Sequence, residues 1–231
     1  MISLLDGDLI AFRCAATAEN ENEEVAVFRT NEFVENLLKL TEATSYEVYV
    51  SGDGNFRYSI FPEYKANRKG KYRPKYEKAC KQFLIDQWGA GQAHGCETDD
   101  MLGIRQTQLG DNSTIVSIDK DLSMVPGWHY HWEQRRLGEV IAPAKRFYVT
   151  PEEGIRNFYR QLVLGDSTDG IKGVVGSGKK AAAVLDCYTE EIDMFNIVRG
   201  MYDNDEEMLM NGQVLWIWRK DNDIWEFPKE T

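Results

Sequence analysis

Apolar residues fall in short runs separated by polar turns, and the spacing inside each run changes along the chain. Ile2 to Leu5 is a short, mostly apolar run ending in Asp6-Gly7-Asp8, with a helix-like stretch from Leu9 to Ala18 behind it. That is the pattern of a strand feeding a helix. Glu19 to Glu24 is polar and acidic and predicts a turn. From Asn31 to Leu40, residues Phe33, Val34, Leu37, Leu38 and Leu40 recur at helical spacing, with Asn31 positioned to cap them. Tyr46 to Val50 is β-branched and aromatic, a second strand that runs into Ser51-Gly52-Asp53-Gly54.

Lys75 to Trp88 and Thr98 to Leu109 have helical periodicity, and Asp111-Asn112 breaks the second of them. Ser113 to Ile118 predicts a third strand, ending at Asp119. Trp128 to Tyr148 predicts short strands with a turn around Gly138; Thr150 then caps a helix opened by Pro151. Gly165 to Ala183, rich in Gly and Lys, predicts helix–turn–helix. Trp216, Trp218 and Trp225 are expected in a terminal hairpin turning at Arg219 to Asp223; stacking on bases is the other use for such aromatics. Strands alternating with helices through the first half predict an α/β fold, a mainly parallel central sheet flanked by helices. The change of character near residue 149 divides the chain into 1–149 and 150–231.

Composition changes this picture little. The chain of 231 residues is 42% hydrophobic and 28% charged, which is globular and not disordered. The N-terminus has no basic region and carries Asp6 too early for a signal peptide, and no apolar run approaches the roughly 18 residues of a membrane span, so a soluble protein with no membrane contact is expected. Cys14, Cys80, Cys96 and Cys187 are far apart, which suggests reduced thiols in a cytoplasmic setting. His94 with Cys96, or His129 with His131, would each donate two zinc ligands, but no second pair completes a tetrahedron. His129 and His131 also read as one face of a strand.

Charge matters more. The formal net charge is −11, the wrong sign for a nucleic-acid partner until its distribution is considered. Lys65, Arg68, Lys69, Lys71, Arg73, Lys75, Lys78 and Lys81 crowd one segment against the single acid Glu77, a local net +7 that leaves −18 for the remainder.

Much of that negative charge sits where chemistry is expected. Three predicted strands end in an acid, Asp6, Asp53 and Asp119, and the carboxyl ends of parallel strands form the crevice in which ligands bind. Glu97 and Asp100 sit three apart on one helix face, and Asp119 and Asp121 point the same way in extended backbone. Asp99 joins them, although an acid at a helix N-terminus has a structural use of its own. Asp166 and Asp169 precede a glycine-rich turn. Setting these nine acids aside leaves a net −2. Carboxylates converging in one crevice repel each other without a cation, and Mg²⁺ or Mn²⁺ suits such an oxygen set. Two such ions about 4 Å apart would activate water for phosphodiester cleavage.

Gly173-Val174-Val175-Gly176-Ser177-Gly178-Lys179-Lys180 turns tightly and opens a helix, where exposed N–H groups bind phosphate without reading sequence. Lys179 and Lys180 add counterion-releasing charge. It lacks the nucleotide P-loop pattern. The alternative reading is an ordinary helix connector.

At these residues the chain resembles the family of phage 5′→3′ exonucleases and flap endonucleases, including the 5′-nuclease domain of bacterial DNA polymerase I. The resemblance rests on Leu4 to Asp8, Phe61 to Arg68, Glu97 to Asp100, Ser117 to Asp121, and Gly165 to Gly170 running into Gly173 to Ala181. These occur in family order, cover most of residues 1 to 185, and come closest to the exonucleases of short-tailed phages. The resemblance implies a PIN-like core with a basic arch at about 65–90 and a C-terminal helix–three-turn–helix subdomain holding DNA backbone and a K⁺ ion. It implies one divalent ion near Asp6, Asp53, Glu97, Asp99 and Asp119, a second near Asp121, Asp166 and Asp169, and Asp100 at either. Lys65 and Arg68 would stabilise charge at the scissile phosphate. Tyr64 would stack on a base, and Lys69, Lys71, Arg73, Gly173, Gly176, Gly178, Lys179 and Lys180 would contact DNA. The expected substrate is duplex DNA with a 5′ end, nick or flap, extending to RNA of RNA–DNA hybrids, in the cytoplasm (the host's, if the protein is phage-encoded). Two rival readings remain: a catalytically silent module binding DNA ends, and a PIN-type ribonuclease, which would have no use for the glycine turn.

Overall fold

Strand β1 (Ile2–Asp6) runs without a loop into helix α1 (Gly7–Thr17), because Asp6 caps the helix: its carboxylate accepts the Leu9 N–H at 3.1 Å. Gly7 is required at this junction, since a Cβ there would lie 2.6 Å from the Tyr49 carbonyl oxygen. The computed structural model describes residues 1–176 and 178–229. Helix α2 (Glu23–Leu40) starts eight residues before the expected Asn31. Asn22 is the cap, accepting Val25 N–H at 3.0 Å, and Ala26, Thr30, Val34 and Leu37 form the buried stripe that the sequence reading began too late.

Next come β2 (Ser45–Ser51), α3 (Arg57–Ile60), α4 (Glu77–Trp88), the short β3 (Gly91–Ala93), α5 (Thr98–Leu109), β4 (Ser113–Val116) and β5 (Gly127–His131). A hairpin follows, β6 (Gln134–Arg136) and β7 (Glu139–Ala142), turning at Leu137 and Gly138, both with positive φ. Then β8 (Lys145–Val149) returns antiparallel to β5. The sheet order is β3-β2-β1-β4-β5-β8, with the first five strands parallel. The mainly parallel sheet is thus as expected, and β3 is a strand the sequence pattern did not suggest.

Alternation along the strands supplies a core on each face. Leu5, Val48, Val50 and Val116 pack under α1, α2 and α4, while Leu4, Tyr49 and Ile115 pack on the opposite side. That second core also receives α6 (Pro151–Leu164), α8 (Glu191–Arg199) and α9 (Asp205–Leu215) through Phe158, Leu162, Phe195, Val198 and Val214. Between α6 and α8, β9 (Gly165–Asp166) pairs with β10 (Ile171–Lys172), and α7 (Lys179–Ala182) follows the glycine turn. Ser177 of that turn lies outside the described residues.

The helix expected over Lys75 to Trp88 forms as α4, packed on α1 and α2 with Cys80 and Leu84 fully buried. Before it, residues 69–76 form an open strap without helix or strand. One expected feature differs: among the described residues no terminal β-hairpin forms, since α9 runs to Leu215 and the chain beyond is irregular. Asn204 caps α9 at Glu207 N–H (2.7 Å), and Asp205, Glu206 and Glu207 occupy its first turn, so helix signals override the Trp-x-Trp alternation. The tryptophans pack as core: Trp225 tilts on Phe158 at 5.2 Å and covers Gly212, and Trp218 stacks on Phe56 at 4.6 Å. Among the described residues, no helix is long and apolar enough to cross a membrane.

His129 is buried in β5, bonded through Nε2 to the Val125 carbonyl at 2.8 Å and stacked on Phe147. Burial lowers its pKa from 6.5 to about 4. The unfolded chain therefore takes up a proton below pH 6.5 that the folded chain refuses until about 4, so stability is intact above 6.5 and falls as pH drops through that window. This group contributes up to about 3 kcal/mol of acid destabilisation. Urea unfolding at pH 7 and pH 4.5 should show a smaller loss for His129→Gln than for wild type.

Candidate active site

The carboxyl ends of β1 and β4 and the N-terminus of α5 meet at one sheet edge, and hydrogen bonds tie their acids into a chain. Asp6, 2% exposed, accepts the Ser117 hydroxyl at 2.7 Å; Ser117 Oγ accepts Asp119 N–H at 3.0 Å; Asp119 Oδ1 accepts Asp121 N–H at 2.8 Å. From the other side, Asp166 accepts Thr168 N–H at 2.7 Å in the β9–β10 turn. Asp169 and Glu97 share the Tyr64 hydroxyl, at 3.0 and 3.1 Å.

Electrostatics links the same groups. Burial, opposed by the Ser117 bond and reinforced by Asp8 and Asp119, pushes Asp6 up to about 7. Burial together with Asp119, Asp6 and Glu97 pushes Asp99 well up, and burial with Asp119 and Asp166 pushes Asp121 up to about 7. Asp169 is raised by burial, against Lys65 and Arg68. Glu97 differs: burial would raise it, but Arg57 and Lys65 outweigh that and hold it low. No three described His, Cys, Asp or Glu side chains already enclose a single point as a finished cage. An open ring of hard oxygen donors, short of positive charge, fits a hydrated divalent ion that keeps several waters better than it fits zinc.

Lys65 and Arg68 stand against this ring. Lys65 pairs with Glu97 and approaches Asp169 at 3.7 Å, and Arg68 pairs with Asp169. Lys65 has φ 58, a left-handed conformation uncommon for a non-glycine residue, and its N–H is held by the Asp169 carbonyl at 2.9 Å.

Three expected site residues do not belong with the acids as read. Asp53 is exposed and is not among the residues lining the cleft; the end of β2 is held instead by Asp8, which accepts Ser51 N–H and Oγ–H at 3.0 and 3.1 Å. Asp100 is fully buried, and four donors fill its oxygens: two from Arg57 (2.6 and 2.9 Å), Glu97 N–H (2.8 Å) and Trp218 N–H (3.1 Å). It has no lone pair left to offer an ion. Tyr64 is only 3% exposed, its ring inside the core and its hydroxyl on the acids, so it presents no face to a base.

Sequence reading also missed residues. Asp8 bridges Thr98 and Lys81 besides Ser51, at 2.8 Å each. The doubled acid in Asp6-Gly7-Asp8 was the available signal. Arg57, 2% exposed, also donates to the Val214 and Trp216 carbonyls at 2.8 Å, stitching the C-terminal segment to the site. A lone arginine gives no such hint.

Asp6, Asp8, Glu97, Asp99 and Asp119 form one wall of a cleft of about 1020 Å³ that is also lined by Phe12, Tyr58, Lys65, Arg68, Lys69, Lys71, Tyr72 and Arg73. Asp121, Asp166 and Asp169 adjoin this wall through the contacts above. The glycine turn does not line it: Gly176, Gly178, Lys179 and Lys180 are exposed, Gly176 has φ 75, and Gly173 packs so close to Gly165 that a Cβ would reach its nitrogen at 2.4 Å.

Residues 1–134 match the family model described as 5′-3′ exonuclease, N-terminal resolvase-like domain. The chain belongs to that family. Its relatives include a 5′-3′ exonuclease of Buchnera aphidicola subsp. Schizaphis graminum, 26% identical over 223 residues, which span 90% of this chain and 75% of that protein. Flap endonuclease Xni of Shewanella sp. (strain W3-18-1) is 27% identical over 195 residues, 79% of this chain and 72% of that one. The fold resembles the bacteriophage T5 D15 flap endonuclease solved with DNA and metal ions: TM-score 0.68, 19% identity, 93% of this chain and 88% of that chain.

Replacing Asp100 by Asn strands the Arg57 guanidinium without its countercharge. The variant should lose about 3 kcal/mol or more of unfolding free energy, read by denaturant titration, whereas a residue merely ligating an ion would gain stability on losing its charge.

Proposed function

We propose that the protein is a divalent-metal-dependent 5′ nuclease that hydrolyses DNA phosphodiesters at 5′ ends, nicks and flaps, as 5′→3′ exonuclease and flap endonuclease. The observation that carries this is the gathering of Asp6, Glu97, Asp99 and Asp119 with Lys65 and Arg68 in one cleft, with Asp169 of the β9–β10 turn paired to both cations. Family membership and the names of the Buchnera and Shewanella relatives support the same reaction.

Asp6, Glu97, Asp99 and Asp119 would hold one ion, and Asp121, Asp166 and Asp169 the other, with Mg²⁺ or Mn²⁺ suited to both sets. Such ions supply Lewis acidity for in-line attack of water on phosphorus and for departure of the leaving oxygen. Lys65 and Arg68 exchange their carboxylate partners for the scissile phosphate and stabilise its growing charge. Lys69, Lys71 and Arg73 attract the backbone along the strap. On this reading the segment from α6 through α7 would act as a helix–three-turn–helix, with the backbone at Gly173, Gly176 and Gly178 available to duplex phosphates and to a K⁺ ion, and Lys179 and Lys180 beside them.

The test uses 5′-end-labelled nicked and flapped DNA. Wild type should cleave with Mg²⁺ and stop with EDTA. Asp119→Asn should lose on the order of 10³-fold in rate while binding DNA in EDTA as before; undiminished cleavage by that variant would sink the assignment. Independently of cleavage, saturating Mg²⁺ should raise Tm by about 5 °C, because it relieves the repulsion among Asp6, Asp99 and Asp119. Asp99→Asn should shrink that shift.

A further inference from the structure

With Tyr64 enclosed in the core, the base-stacking role expected of it has no exposed ring at that position. Tyr72 on the strap and Tyr58 on α3 line the same cleft and are 59% and 50% exposed. Tyr58 packs edge-on against Tyr64, at 5.9 Å between ring centroids, and it is the Tyr64 hydroxyl that reaches Glu97 and Asp169. Tyr72 is held differently. Its hydroxyl donates to Glu19 Oε2 at 2.7 Å, and the same oxygen accepts Lys75 N–H at 3.2 Å. One carboxylate on the α1–α2 turn thus fixes the far end of the strap and the orientation of the tyrosine, leaving the ring open to the cleft.

Resting on the nuclease reading above, we propose that Tyr72, positioned by Glu19, is the stacking platform for an unpaired nucleotide of the 5′ end. Lys69, Lys71 and Arg73 flank it on the strap and line the cleft as well. An exposed aromatic face interleaved with cations is the chemistry that holds single-stranded nucleic acid, with π-faces taking bases of any sequence and cations taking phosphates. A flush duplex end keeps its bases paired and stacked on one another and cannot use such a face. Tyr72 therefore selects for unpaired 5′ nucleotides, while the glycine turn treats all duplexes alike.

The experiment measures binding in EDTA, so that cleavage plays no part. The probes are a nicked duplex with a four-thymidine 5′ flap carrying 2-aminopurine at its first unpaired position, and the same duplex with a flush nick. Wild type should bind the flap more tightly and quench the 2-aminopurine. Tyr72→Ala should weaken flap binding about tenfold, the scale of one lost stack, leave flush-nick binding unchanged and abolish the quench; Tyr72→Trp should retain both. Glu19→Ala should reduce the quench, and Glu19→Gln should restore it by supplying an acceptor, at unchanged Tm. The proposal is overturned if Tyr72→Ala still quenches, or if it weakens flap and flush nick equally. Failure of wild type to bind either DNA would instead remove the nuclease reading on which it stands.

Discussion

Like charges held at one edge of a sheet repel, and the rest of this molecule is arranged around that repulsion. Asp6, Asp8, Glu97, Asp99, Asp119, Asp121, Asp166 and Asp169 form a continuous chain of mutual influence, and several of them are mostly buried. At separations of a few ångströms inside protein, each unscreened pair would cost several kcal/mol. The fold tolerates the cluster by distributing partners unevenly. Lys81 neutralises Asp8, and Lys65 with Arg57 neutralises Glu97, so these two acids lie below the usual carboxylate range. Asp6 has no such cation, and Lys65 near Asp99 and the exposed Lys120, 3.7 Å from Asp121, do not offset burial and the neighbouring acids, so all three are pushed up. The deficit of positive charge is localised on the acids nearest the strand ends, where a divalent ion would have the most to offset.

Asp100 shows how the same local sequence serves two purposes. Adjacent helix residues point about 100° apart, so Asp99 and Asp100 cannot both face the cleft. Asp99 does, and Asp100 turns inward to Arg57. There the pair performs structural work: Asp100 caps α5 at Glu97 N–H, and Arg57 grips two carbonyls at the end of α9 and just beyond it. The acid ring is therefore mounted on a buried ion pair that also fastens the C-terminal segment. Removing that segment would leave Arg57 donors unmet and loosen the turn that holds Glu97 and Asp99.

This division explains what the sequence could and could not reveal. Strands ending in acids were legible because a parallel sheet converts strand order into convergence at one edge, and Asp6 and Asp119 obey it. Both Asp53 and Asp119 lie past the observed strand ends, but Asp119 is tied back through Ser117 to Asp6, whereas Asp8 takes the end of β2 at Ser51 and Asp53 is left exposed. The shared face expected for Glu97 and Asp100 does not form: Glu97 is the cap before α5, in extended backbone and on the cleft, while Asp100 turns inward to Arg57, more than forty residues earlier, which pairwise spacing does not encode. Asn22 was passed over as a cap because it sits in an acidic stretch resembling a turn. Trp216 and Trp218 mimic strand alternation, yet the capped start at Asn204 fixes a helix up to Leu215. At Asp53 and Asp100 a local pattern lost to a partner remote in sequence, and at Asn22 and Asn204 it lost to a nearby helix cap.

The strap is coupled to the acids by the same logic. It joins α3 to α4, and α4 carries Lys81 to Asp8 at 2.8 Å. Asp8 lies in the first turn of α1, the helix capped by Asp6, and it also accepts from Ser51 on β2 and Thr98 on α5. At the other end Glu19 and Glu21, just past α1, hold Tyr72, Lys75 and Tyr76. The α4 side of the strap is therefore anchored on or just beyond α1, a helix set closely against the sheet at Gly7, while its start is held on the β9–β10 turn by Arg68 and Asn67. On the proposed nuclease reading, a cation held by Asp6, Asp99 and Asp119 would change the charge beside Asp8 while the hydrogen bonds of Asp8 to Ser51 and Thr98 keep the α4 side of the cleft in place. Lys65 and Arg68 would then be free to trade carboxylate for phosphate without the strap having to fold around the substrate.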